Sequence, residues 1–414
     1  MKLASIQAEE SKLLLQTYER NPYLFLSGQG VYLRDENGQD YLDLLSGIGV
    51  SALGYGHPAV EEAIACQSKR LVHSSNLFFH EHTTELARRL TEISGLDRVF
   101  LCNSGTEAWE AALKLSRANA GRLRVAGRNI GTRFLALEHS FHGRSMGAVA
   151  TTHKEKYRKP FEPVMPGVEF VRFNDVDDLR AKFSEEICAI CIEPVQGEGG
   201  IHLISREFFA AARELCNSTG ALLLADEIQS GLGRTGKWFA YQHYGILPDV
   251  TTIAKPIANG IPMGAMLCTN NAALAFTPGM HGTTFGGGPL ACAVAIAVID
   301  TIKRENLLEH IRDIGDFFHE ELSRLAAHHD CIVDVRGIGL MLGLELNSAD
   351  LAKRVAAQLM ERYIIVNRTS ETVLRFLPPF ILERKHVEST IKAIDEVVSA
   401  TYAGAAPAGE QFHG

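Results

Sequence analysis

The sequence predicts an α/β protein with a mainly parallel central sheet, helices on both faces, and a smaller α+β domain beside it. Three observations predict this. Short apolar runs lack internal polar alternation, as strands buried on both faces do. Longer helical patterns separate them, which is the rhythm of a layered α/β sheet. After about residue 300 that rhythm changes.

In chain order, "GVYLRDENGQDYLDL" reads as a hairpin, with Asn37-Gly38 as its turn signal. Then come "RVFLCN" before "EAWEAALKLSRANA", "RFLALEHS", "ICAICIEP" before "REFFAAARELCNSTG", and finally "ALLLADE", "DVTTIA" and "PMGAMLCT". From about residue 290 a long helix, "PLACAVAIAVIDTIKREN", leads to "IVDVRGIGLMLGLEL" and "TVLRFLPPF" among further helices. The predicted organisation is an N-terminal segment, 1–65, that joins the small domain, a large domain over 66–300, a C-terminal small domain over 301–403, and a small, polar tail at 404–414.

A chain of 414 residues that is 46% hydrophobic and 22% charged can bury large cores. The formal net charge of −8, with no dense Lys/Arg run, argues against a nucleic-acid partner. No apolar stretch approaches the roughly 20 residues that span a bilayer. Glu9, Glu10 and Glu19 near the start fit neither a secretory signal nor a transit peptide. The eight cysteines lie scattered in apolar contexts, as reduced buried thiols do, and the cytoplasm is the expected compartment. Cys188 and Cys191 form a C-x-x-C, but inside a strand-like run with no second pair at zinc spacing.

In open α/β sheets ligands gather at the carboxyl ends of strands, and several apolar runs here stop on reactive groups. "VFLCNSGTEAWEAALKL" passes from a strand through Asn103, Ser104, Gly105 and Thr106 into a helix, which would bring free N–H groups, hydroxyls and a helix dipole to one point. This is a phosphate seat or, equally, a simple N-cap with Glu107 in the first turn. "LLLADE" ends on Asp226, and "DVTTIAKPIANG" places Lys255 where a buried amine could form a Schiff base. Taken singly, each could belong to a structural ion pair. Together they supply what pyridoxal phosphate needs: an anion site, a carboxylate for the ring nitrogen and a lysine for the aldehyde.

Gly231, Gly233 and Gly236 offer a competing dinucleotide fingerprint, with Asp249 18 residues past Gly231. That fingerprint wants its first glycine directly after the strand, whereas "DEIQS" intervenes, and "KWFAYQHYGILPD" is a poor helix.

The same residues carry a resemblance. The chain resembles the class III, fold type I, pyridoxal-phosphate aminotransferases, most closely their acetylornithine branch, from about Thr17 to Val398. The motifs are "SGIGVSALGYGHP", "NSGTEAWEAALKLSR", "HSFHGRSMGA", "IEPVQGEGG", "LLLADEIQSGLGRTGKWFAYQHYGILPDVTTIAK", "GTTFGGGPLACA", "VRGIGLMLGLEL" and "LRFLPPF". It implies pyridoxal 5'-phosphate bonded to Lys255, with Asp226 on the ring nitrogen. Phe141 and Ile228 would pack the two ring faces, with Gln229 near the ring hydroxyl. Ser104, Gly105 and Thr106 would hold the phosphate with Thr284 of a partner subunit, making a homodimer with shared sites. Arg144 would receive a substrate carboxylate. Arg375 would receive that of 2-oxoglutarate or glutamate, with Glu198 as its gate.

The implied reaction moves the 5-amino group of acetylornithine to 2-oxoglutarate. Ornithine, succinylornithine, succinyl-diaminopimelate and 4-aminobutyrate are the alternative donors, and Ile48 favours the acylated one. The sequence departs from the family pattern at Trp109, "AKPIANG" and "FGGGP", and Trp109 would be expected to reshape the entrance.

Overall fold

The apolar runs become the strands of one seven-stranded sheet. A computed structural model of the chain describes residues 2–403; the tail at 404–414 lies outside the described residues. In chain order the strands are β1 (Arg98–Cys102), β2 (Arg133–Leu137), β3 (Val168–Val171), β4 (Ile187–Ile192), β5 (Leu222–Asp226), β6 (Val250–Ile253) and β7 (Gly264–Cys268), arranged in space as β1-β7-β6-β5-β4-β2-β3. All neighbours run parallel except β7, which is antiparallel to both β6 and β1. Strands β4, β5, β6 and β7 are buried at every position, hence their unbroken apolar character. Cys188 and Cys191 lie within β4 as buried free thiols.

The helices have local reasons to start and stop where they do. α1 (Gly105–Val125) is capped by Ser104, whose Oγ accepts from the N–H of Glu107, while Glu107 reaches back to the N–H of Asn103 at 2.6 Å. α2 (Arg206–Thr219) begins at the Ser205 cap and ends on Gly220, at φ +89°. α3 (Pro289–Arg304) opens with proline, as a first helical turn permits. The stretch at 237–249 forms only a short 3-10 turn at Ala240–His243.

The hairpin at Asn37-Gly38 joins Tyr32–Asp35 to Asp40–Asp43 antiparallel, and Ile364–Ile365 adds to it in parallel. A separate antiparallel sheet gathers Ile332–Ile338, Met341–Leu346, Val373–Phe376 and Asn367–Thr369. Between the hairpin and the large sheet lies a left-handed turn, Ser46 to Gly49, in which Ser46 and Ile48 take φ values of +48° and +65°. A β-branched residue there is strained by about 1–3 kcal/mol. Anchors hold it in place: Asp43 accepts from the N–H groups of Leu45 and Ser46, and Ser46 Oγ donates to the carbonyl of Leu377 at 2.6 Å.

Candidate active site

The carboxyl ends of β1, β5 and β6 open on one edge of the sheet, and the segment entering the antiparallel β7 returns to the same edge. Together they wall a cavity of about 310 Å³ lined by Ser104, Gly105, Thr106, Phe141, Asp226, Ile228, Gln229 and Lys255, with Asn103, His142, Glu193 and residues 260–263. Eight of the twelve residues singled out in the sequence therefore share one chamber.

At one end, α1 offers its first N–H groups at Gly105 and Thr106, which helix geometry leaves without intrahelical acceptors. Only glycine fits at 105, since a Cβ would come within 2.9 Å of the Ile228 side chain. Thr106 Oγ1 hydrogen-bonds Ser145 Oγ at 2.6 Å. An anion is stabilised there by the positive end of the helix.

At another wall Asp226, at the end of β5, is 5% exposed. One carboxylate oxygen accepts from Thr252 Oγ1 at 3.2 Å and the N–H of Ile228 at 3.1 Å; the other meets His142 Nδ1 at 2.7 Å. Glu193, buried nearby, accepts from the N–H of Phe141 at 3.1 Å. Burial, with the charge of Asp226 close by, pushes its carboxyl well above the usual range.

Lys255 follows β6 in the left-handed region, at φ +31°. Burial and then the charge of Arg375 push its amine down to about 8, against partial compensation from Glu198 and Asp226. An amine so placed is a nucleophile and base near neutral pH.

Behind Gln229 sits Arg375, 0% exposed. Its Nη1 donates to Glu198 Oε1 at 2.6 Å and Gln229 Oε1 at 3.1 Å, and its Nε to Asn367 Oδ1 at 3.0 Å; Nη2 makes no hydrogen bond. Burial alone would raise the carboxyl of Glu198, but Arg375 holds it below the usual range. Glu198 also faces a neighbouring cavity with His139, Tyr157 and Ser370.

Arg144 and Thr284 do not line the main chamber. Arg144 is exposed, with its guanidinium 3.9 Å from the Tyr157 ring centre. Thr284 is exposed in the loop before α3. Trp109 departs from the sequence expectation: it is fully buried, absent from the cavity wall, and cannot shape an entrance. His142 and Glu193 were not picked out from the sequence; Glu193 carried a signal, since it directly follows the apolar run Ile187–Ile192, whereas His142 lies in a polar loop five residues past β2 and carried none.

The donor set fits pyridoxal 5'-phosphate: anion-binding N–H groups, a carboxylate for a protonated ring nitrogen, two apolar flanks in Phe141 and Ile228, and a lysine of lowered basicity. Fold and site thus define a pyridoxal-phosphate enzyme of fold type I. The Aminotransferase class-III family model matches residues 16–398, and the chain belongs to that family. It is 43% identical over 390 residues to the acetylornithine aminotransferase of Methanocaldococcus jannaschii, covering 94% of this chain and 96% of that one. The enzyme of the same name from Aquifex aeolicus is 42% identical over 386 residues, 93% of this chain and 99% of that one. Among solved structures, the ornithine aminotransferase of Toxoplasma gondii superposes with a TM-score of 0.92 at 31% identity, covering 98% and 96%. The acetylornithine aminotransferase of Elizabethkingia anophelis gives 0.85 at 30%, covering 97% and 100%.

Proposed function

We propose that this aminotransferase moves the 5-amino group of N2-acetyl-L-ornithine to 2-oxoglutarate, giving N-acetyl-L-glutamate 5-semialdehyde and L-glutamate in arginine biosynthesis. The observation that carries the reading is Lys255 and Asp226 lining one chamber, with the buried Arg375 paired to Glu198 beside it. The relatives' names and the compact Ile48 support the acylated donor over ornithine.

Bound in the chamber, pyridoxal phosphate supplies an aldehyde that exchanges for an amino group and a protonated ring that accepts the electron pair of the donor carbon. The residues do the rest. The helix N-terminus at Gly105 and Thr106 holds the phosphate, Phe141 and Ile228 confine the ring, and Gln229 approaches its hydroxyl. Asp226 keeps the ring nitrogen protonated. Lys255, uncharged in a useful fraction near pH 8, takes the proton from the amino-bearing carbon of the donor. Arg375 stays paired with Glu198 while the donor occupies the site and receives the second carboxylate of 2-oxoglutarate when Glu198 yields it. Arg144 serves a carboxylate of the donor.

Two copies form the working enzyme in this reading, with the partner's phosphate contact supplied by the loop that contains Thr284. Exposed apolar side chains support it: Asn76 donates to the carbonyls of Thr283 and Gly286, which ties the segment carrying Leu77, Phe78 and Phe79, exposed by 85%, 70% and 105%, to the one carrying Phe285 at 67%. Eight unpaired cysteines support a reducing, cytoplasmic setting.

A panel of amino donors offered with 2-oxoglutarate to the purified enzyme, with glutamate as readout, tests the proposal. Acetylornithine should give the highest kcat/KM. A ranking led by ornithine or 4-aminobutyrate would overturn the donor, and no glutamate from any donor would overturn the reaction.

A further inference from the structure

Trp109 lies one turn into α1, four residues beyond Gly105, so its indole rides on the helix that forms the anion end of the chamber. The indole is stacked on the imidazole of His142, ring centres 4.1 Å apart and planes 5° from parallel. That imidazole contacts Asp226 Oδ2 at 2.7 Å. Trp109 itself is pinned, its Nε1 donating to Thr151 Oγ1 at 2.9 Å, and Thr151 Oγ1 donates on to the carbonyl of Ala148 at 3.0 Å.

What fixes the plane of His142 decides what this chain of contacts does. Its side chain is fully buried, and its Nε2 makes no hydrogen bond among the described residues. Its backbone N–H goes to Thr152 Oγ1 at 3.0 Å, which anchors the main chain but not the plane of the ring. The indole face and the Asp226 carboxylate both bear on the tilt of the ring, and the tilt sets where Nδ1 points.

We infer that Trp109 is a positioning residue for the cofactor: by clamping His142 against the indole, α1 holds Asp226 in the orientation that meets the ring nitrogen. One rigid helix then fixes both ends of the same ligand, its phosphate through the N-terminal N–H groups and its ring through Trp109, His142 and Asp226.

The inference rests on the chamber being the pyridoxal-phosphate site, and the test separates the two. Apoenzyme is titrated with pyridoxal phosphate, and affinity is read from the absorbance of the bound cofactor for wild type, Trp109→Met, Trp109→Phe, His142→Ala and the Trp109→Met/His142→Ala double variant. Methionine keeps an apolar, adaptable side chain without an aromatic face; phenylalanine keeps the face. Trp109→Met is expected to weaken binding about tenfold and Trp109→Phe no more than about threefold, while the double variant binds no worse than His142→Ala alone, the coupling expected of contacting residues.

Unchanged affinity in Trp109→Met, or an equal further loss in the His142→Ala background, overturns the inference, because packing alone predicts the latter. If Trp109→Met does not fold, Trp109→Phe with and without His142→Ala is read in the same way, and its smaller loss must vanish in the double variant. Wild-type apoenzyme that takes up no pyridoxal phosphate at all overturns the site assignment itself.

Discussion

Replacing Glu198 with glutamine tests the two-carboxylate logic of the pocket most directly. Arg375 is wholly buried and spends Nη1 on Glu198 at 2.6 Å, so an incoming dicarboxylate must displace a charged competitor. The amide keeps the shape and an acceptor oxygen but removes the charge. A hydrogen bond to a charged group contributes about 1.5–3 kcal/mol against about 1 for a neutral one. The Glu198 side chain is 31% exposed, so the lower part of that range applies and the difference is about 0.5–1 kcal/mol. That corresponds to a roughly two- to fivefold lower KM for 2-oxoglutarate. The donor half-reaction should move the other way, because a donor without a second carboxylate leaves the guanidinium with neutral partners only. Each half-reaction can be followed separately by the absorbance of the bound cofactor at varied substrate concentration. A KM for 2-oxoglutarate that is unchanged or raised, with the donor half-reaction intact, would refute the competition between Glu198 and substrate.

Lys255→Ala should lower kcat by about 10²- to 10⁴-fold, the usual yield of a positioned acid–base group, and gel filtration should strip the cofactor that wild type retains. Gly105→Ala should weaken pyridoxal phosphate binding without unfolding the protein, because its new Cβ would press within 2.9 Å of Ile228; equilibrium titration of apoenzyme checks this. The pH dependence has a definite sign. Lys255 is pushed down to about 8, so its neutral fraction grows as pH rises and levels off above that value. The rate at which apoenzyme takes up pyridoxal phosphate should climb between pH 6 and about 8 and then flatten, as stopped-flow absorbance would show. A rise continuing toward pH 10.5 would mean an ordinary lysine.

Much of the large sheet was legible because β4, β5, β6 and β7 are buried on both faces and could not hide polar residues. β3 was missed: it is a four-residue edge strand with Glu169 in its middle, too short and too polar to read as a run. The orientation of β7 was equally invisible, since parallel and antiparallel strands at full burial look alike in sequence. At the site, Asp226 and Lys255 could be found because each terminates an apolar segment, where a charge needs an explanation. Trp109 was misplaced for the complementary reason. A large aromatic beside a loop suggests a wall, and only the packing shows it turned inward onto His142. The left-handed Ser46–Gly49 turn was half visible: its glycines advertise positive φ, whereas Ser46 and Ile48 do not, and tertiary hydrogen bonds impose that conformation on them.

The antiparallel β7 also bears on how the enzyme is made. Among the described residues β1 is an edge strand whose sole partner in the sheet is β7, with Leu101 opposite Ala265 and Cys102 opposite Gly264. During synthesis the segment that seats the phosphate therefore waits for more than a third of the chain before it can dock. A ribosome-bound fragment ending before residue 264 holds the helix but not its berth, so cofactor loading belongs to the late stages of translation or to the released polypeptide.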